Sequence, residues 1–374
     1  VGFLLRPRKA LTCALICAGS DLAAKHLAAL PRCEAPAPSR TASPAVRAAV
    51  AASLETSKES EAFRALRGSL ERDGFFERSA PHEAFALASV LGLYAAASAM
   101  AHADAGAVGS IAAALTLGLG MQQAGWLAHD YAHGRGPLCS ALRDAGALLN
   151  GHSATWWTAK HSAHHAFTNT HGLDEDVTQE PFFFLEHPES TGRPDTGLRR
   201  FQHLYAYPLY GITFWAWRFA SVADVVRRKD AREAALLAAN VALTLALVPL
   251  PVAVAGVTVG GFLVGALVSA THQSEEIVAQ RRDDFVLTQF AATRDADASA
   301  SPALAWLWGG MDTQLEHHLF PSMPRYRYAA LRPRLQAWAQ EQGIEYRISD
   351  WKDILRDNYA TLRAAAAAAP VARA

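Results

Sequence analysis

Charge is scarce in this chain. Asp, Glu, Lys and Arg make up 19% of its 374 residues, against 51% hydrophobic residues, and the formal net charge is zero. No basic patch is interleaved with aromatics, so nothing points to a nucleic-acid partner. Cysteine is scarce too. Cys13, Cys17, Cys33 and Cys139 show no CxxC spacing, which argues against a disulfide framework. Three long stretches have no charge at all, and these turn scarcity into a signal. Residues 84–101 and 105–128 are 18 and 24 uncharged residues parted by only His102, Ala103 and Asp104. Residues 234–271 are 38 more, too many for one crossing of a bilayer core of about 30 Å. Pro249, Pro251 and Gly256 predict a break there.

These runs predict an all-α integral membrane protein with two transmembrane hairpins, four spans at about 84–101, 105–128, 234–251 and 256–271. The alternative is a set of buried helices in an Ala-rich soluble protein. Each hairpin returns the chain to its starting side. The N-terminal segment, residues 129–233 and the tail from His272 then share one face. That face carries the Lys and Arg, while the short hairpin loops have none, so it is expected in the cytosol, or the stroma of a plastid. Residues 1–57 hold seven Lys or Arg and three Asp or Glu and are rich in Ala, Ser and Pro. They read as a leader, a transit peptide or a disordered tail. Residues 58–363 form the expected membrane domain, and 364–374 an Ala-rich tail. Phe63, Leu66 and Leu70 repeat at helical spacing, with Gly74 as a stop. This amphipathic segment could lie on a membrane or pack on the domain. Residues 201–220 have the aromatic composition of an interfacial helix, and Tyr326 to Arg363 reads as mostly helical.

What is abundant is histidine: fifteen, of which seven fall in three clusters. His129 and His133 are an i, i+4 pair. His161, His164 and His165 stand at i, i+3 and i+4, spacing that predicts three imidazoles aimed at one point. His317 and His318 follow Gln314 by one helical turn. His272 ends the fourth expected span at the same depth and makes eight. Taken singly, each cluster could be an ordinary surface or core pair. Together on one membrane face they predict a metal site. Eight imidazoles exceed the needs of one ion and fit two, and imidazole suits iron, copper and zinc alike. Gln314 could offer a carbonyl oxygen or bind a metal-bound water, while Glu316 is expected to point elsewhere. Asp130, Asp174, Asp176 and Asp312 could accept an N–H from a ligand. His152, His171, His187 and His203 lack cluster spacing and read as ordinary histidines. A transporter would carry its ionisable groups inside the spans, and these spans carry almost none.

The clusters and their flanks, QQAGWLAHDYAH, WWTAKHSAHHAFTN and WGGMDTQLEHHLFPSMPR, resemble those of the membrane fatty acid desaturases. The boxes H-x(3)-H, H-x(2)-HH and Q-x(2)-HH stand in order over roughly residues 60–358, and Gln314 marks the front-end type. The resemblance implies a non-haem di-iron oxygenase. Its eight histidines would ligate two iron ions, dioxygen would be the co-substrate, and the product would be a cis double bond in a fatty acyl chain. Two features depart from the pattern. Asp312 stands where the family commonly has Asn, and no HPGG haem motif of a fused cytochrome b5 occurs, so a separate cytochrome b5 or ferredoxin is the expected electron donor. The leader favours a plastid membrane, with the endoplasmic reticulum as alternative. A sphingolipid long-chain-base desaturase or lipid hydroxylase on the same scaffold is the alternative activity.

Overall fold

Helix α1, Lys58–Arg72, begins where the Ser57 hydroxyl accepts from Ser60 N (3.0 Å) and Glu59 and Glu61 favour the N-terminal dipole. It ends before Gly74, whose φ of +74° suits glycine. The computed structural model describes residues 57–103, 105–170, 173–191, 194–277 and 284–368. The expected leader lies outside the described residues except for Ser57, as do His171 and residues 369–374 of the Ala-rich tail.

The chain is mostly helical. Helix α2 is Ala80–His102 and α3 is Gly106–His133. After the middle of the chain come α8, Ala231–Leu247, and α9, Leu250–Ala270. Of these, α2 and α9 are long and apolar enough to cross a bilayer by length and composition. Helix α8 is 17 residues and carries Arg232 and Glu233 in its first turn. In α3 the apolar run is diluted by glycines and by Gln122 and Gln123, which donate to the carbonyls of Leu307 and Trp306 (both 3.0 Å). The predicted break falls at Val248–Pro249. Pro251 occupies the first turn of α9, where no N–H is needed, and Gly256 lies inside the helix. Gly256 and Gly118 let α9 and α3 touch: a Cβ on Gly118 would sit 2.5 Å from Val259, and one on Gly256 2.7 Å from Leu117.

Between the helix pairs lie α4 (Pro137–Asn150), α5 (Ala154–Ala166), α6 (Gln202–Tyr210) and α7 (Thr213–Arg228). The aromatic stretch 201–220 is therefore two helices, parted at Gly211 and Ile212, rather than one. Beyond α9 come α10 (Phe285–Ala292), α11 (Pro302–Trp308), α12 (Gln314–Leu319), α13 (Tyr328–Gln342) and α14 (Trp351–Ala367). The all-α expectation needs one correction. Strands β1, Asp295–Asp297, and β2, Ile348–Asp350, pair in parallel, Asp295 opposite Ile348. This pairing breaks the expected tail helix and ties α14 to the segment before α12.

Helix α1 packs on α13 and the residues that follow α12. Phe63 meets Phe320 at 5.0 Å between centroids, and Leu70 joins Leu331 and Leu335 in one fully buried cluster. Burying each such leucine is worth about 2 kcal/mol. This cluster holds α12 from behind, and α12 carries His317 and His318.

Candidate metal centre

The last turn of α3 carries His129 and His133, α5 carries His161, His164 and His165, the end of α9 leads to His272, and α12 carries Gln314, His317 and His318. All eight histidines converge, in two groups. His129, His133, His161, His165 and His317 bring one ring nitrogen each within 4.8 Å of one another, and His164, His272 and His318 do the same. The helix spacing explains the division. His161 and His165 are i, i+4 and share a face. His164 is one residue from His165, so it points about 100° away. The expectation that His161, His164 and His165 aim at one point is thereby corrected. The doublet His317–His318 divides the same way.

In the group of five, His129 Nε2 is 2.9 Å from His161 Nε2, which is 3.0 Å from His165 Nε2, which is 2.9 Å from His317 Nε2. Imidazole–metal bonds of about 2.1 Å place neighbouring ligand nitrogens roughly 3.0–3.4 Å apart, so the spacing fits a shared cation. In the group of three, each ring is oriented from behind. His164 Nδ1–H donates to Asp174 (2.8 Å), His272 Nδ1–H to the Ala292 carbonyl (3.1 Å) and His318 Nδ1–H to Gln289 Oε1 (2.8 Å). Their Nε2 lone pairs therefore face inward. His133 Nε2, His318 Nε2 and Gln314 Oε1 are buried without a partner, and a metal ion and its bound oxygen would satisfy them. The donor set fits a two-metal centre.

Electrostatics agree. Burial, then the neighbouring imidazoles, pushes His161, His165, His317 and His318 well below the ordinary range, and burial takes His272 down to about 3. All are neutral, the form that ligates. His164 differs: burial would lower it, but Asp174 and then Asp176 raise it above the ordinary value.

The other named residues separate cleanly. Gln314 Nε2 lies 2.8 Å from His272 Nε2, beside the group of three. Asp174 orients His164 and also accepts from Asn169 N (2.9 Å). Asp176 is 3.6 Å from His164 and pairs with Lys160. Asp130 does not orient a histidine. Its carboxylate is taken by Arg78 at 3.1 and 3.3 Å. The Asp312 carbonyl accepts from Arg332 (3.0 Å), and among the described residues its side chain makes no hydrogen bond to a histidine. Glu316 turns away to Tyr346 (2.6 Å); burial, then the Asp295 charge, raises it well above the usual carboxyl range. His187 and His203 stand apart beside Glu189 and Tyr359. Spacing gave no hint of Gln289 or of the Tyr328 hydroxyl, 3.3 Å from His317 Nδ1, or of Trp157, stacked 4.4 Å from His161. Asn169 was equally silent; at φ +51° it donates to the His272 carbonyl (2.8 Å) and couples two ligand segments. A lone Gln in the apolar run of α10 was the only cue for Gln289.

A cavity of about 530 Å³ opens from His129, His161, His164 and His272 between α5, α6, α7 and α9, with Phe183, Leu209, Phe214 and Val264 among its apolar walls. A two-metal imidazole centre at the end of an apolar cavity is suited to acting on a long apolar substrate. Residues 106–349 match the family described as Fatty acid desaturase. The chain belongs to the fatty acid desaturase family. The chain is 30% identical to the Delta(6)-fatty-acid desaturase of Caenorhabditis elegans over 325 residues, 78% of this chain and 72% of that one. It is also 30% identical to the Acyl-lipid 8-desaturase of Rebecca salina over 279 residues, 69% and 64% of the two chains. Identity to human Fatty acid desaturase 3 is 30% over 328 residues, 81% and 72%. Part of each relative is thus unmatched. Relatives named for positions 5, 6 and 8 place this desaturase, an oxidoreductase, with the front-end type.

Proposed function

We propose that this desaturase uses dioxygen to introduce a cis double bond into a fatty acyl chain, on the carboxyl side of an existing double bond. Two non-haem iron ions would be held, one by His129, His133, His161, His165 and His317, the other by His164, His272 and His318 with Gln314 alongside. The two converging imidazole groups at the cavity end are the observation that carries this reading. When bound, irons reduced by electrons from cytochrome b5 or ferredoxin would activate dioxygen, which is the oxidant for the two hydrogens taken from adjacent carbons and leaves as water. The chain's own residues do the rest. Phe183, Leu209, Phe214 and Val264 hold the flexible substrate in one path, so that one pair of carbons meets the centre. Trp157 stacks on His161 and Trp126 meets His129 edge-on, and the two indoles limit water. Asp174, Gln289 and the Ala292 carbonyl hold protons on Nδ1, keeping Nε2 unprotonated.

In this proposal residues 58–363 form one membrane domain of two hairpins, with α2, α3, α8 and α9 as four spans and the histidine cap on the cytosolic or stromal face. The leader addresses a plastid membrane, and the endoplasmic reticulum is the other location. The test is expression in yeast fed polyunsaturated acids, with double-bond location in the methyl esters. The expected result is a new double bond between the carboxyl end and an existing one, absent in His161→Ala. A hydroxylated product would overturn the proposal.

A further inference from the structure

The cavity has a second polar end. Asn150, the last residue of α4, is 2% exposed, yet neither atom of its amide has a hydrogen-bond partner. His152 is 5% exposed and its Nδ1 is equally unmatched. Both side chains line the cavity wall. Behind them, Arg218 of α7 donates from Nη2 to the Asn150 carbonyl (2.6 Å), while its Nη1 is buried and idle. No carboxylate among the described residues pairs with it; burial lowers it to about 10, which leaves it a cation at neutral pH.

Three other polar groups on the wall are engaged. Lys160 holds Asp176, Gln179 Nε2 donates to the Asp176 carbonyl (2.9 Å), and the Tyr210 hydroxyl donates to Gln273 (2.8 Å). Buried polar groups are rarely left unmade, and a few convergent ones in an apolar cavity fix a ligand's orientation. An idle amide, an idle ring nitrogen and a cation without a counter-ion match oxygen acceptors bearing negative charge. The methyl end of a chain would leave all three unmatched.

We propose that Asn150 and His152, with the Arg218 charge behind them, hold the oxygen-bearing head of the acyl substrate, its carbonyl and the adjoining anionic group, and thereby fix which carbons reach the histidine centre. This rests on the acyl-desaturase reading. The geometry suits a counting device. The His152 ring is 6.1 Å from Trp157, which is 4.4 Å from His161, so a short run of methylenes spans the two ends. A head fixed at one point lets the reacting position be measured from the carboxyl side.

The test uses the full iron-loaded chain in detergent, supplied with dioxygen and with reduced cytochrome b5 or reduced ferredoxin in parallel, and with linoleoyl-CoA and linoleoyl-phosphatidylcholine as probes. Binding, turnover and double-bond position are measured for Asn150→Leu, His152→Phe, Arg218→Met and Arg218→Lys. Expected are Kd and KM raised about 10- to 100-fold, kcat within about threefold, and a double bond spread over neighbouring positions. Arg218→Lys should regain most of the affinity. The probe whose binding falls identifies the head; an equal fall for both assigns the shared carbonyl. Wild-type binding and an unmoved double bond in iron-loaded Asn150→Leu and His152→Phe would overturn the proposal, leaving water as the occupant. So would a wild type that binds neither probe. A wild type that binds a probe but forms no double bond refutes the desaturase reading instead, and loss of binding in the variants would still establish the subsite.

Discussion

In the group of five, His129, His161, His165 and His317 are spaced chiefly by one another, nitrogen to nitrogen at 2.9–3.0 Å. Their one outer side-chain hydrogen bond among the described residues is the long contact from Tyr328 to His317. In the group of three, every ring has its own short tether: Asp174, the Ala292 carbonyl, or Gln289. Ligand number does the positioning in one group, and outer partners do it in the other. Where five imidazoles converge, losing one orientation is shared by four others. Where three converge, each tether matters singly.

Substitutions should expose that contrast. His161→Ala removes the nitrogen at the centre of the group of five. Activity should fall roughly a thousandfold or more, beyond the ~10–100-fold typical of outer partners, with about half the iron lost by elemental analysis. Asp174→Asn should cost about 10–100-fold in affinity for one iron, read as graded loss to a chelator, while the other iron stays. The contrast would break if Asp174→Asn released both irons together. Tyr328→Phe, on the group of five, should lower turnover only about twofold to threefold, because a 3.3 Å contact is a weak tether. Glu316→Gln should change turnover least, within about twofold, since the carboxyl is already driven towards its neutral form and an amide replaces it closely. A large effect there would mean that α12 is positioned by charge rather than by packing.

Much of this centre was readable in the chain itself. Helical spacing is local, so the pairs 129/133 and 161/165, the doublets, and His272 at the end of an apolar run could be found without tertiary knowledge. The division of each doublet between two groups follows from the same 100° step, yet it emerges only once the facing helices are placed. Partners from distant segments left no trace. Arg78 reaches Asp130 across 52 positions, and Gln289 meets His318 from another helix. Likewise, the pairing of 295–297 with 348–350 depends on the chain closing over a long loop, which no short pattern encodes.

Helix α3 runs unbroken from Gly106 to His133. Inserting a single residue within it would rotate both terminal histidines by about 100° and advance them by about 1.5 Å, swinging them off the shared point. A change of length within this helix would therefore cost the centre directly. Here the distance from the apolar half of the fold to the oxidising centre is counted in residues, and the count cannot drift.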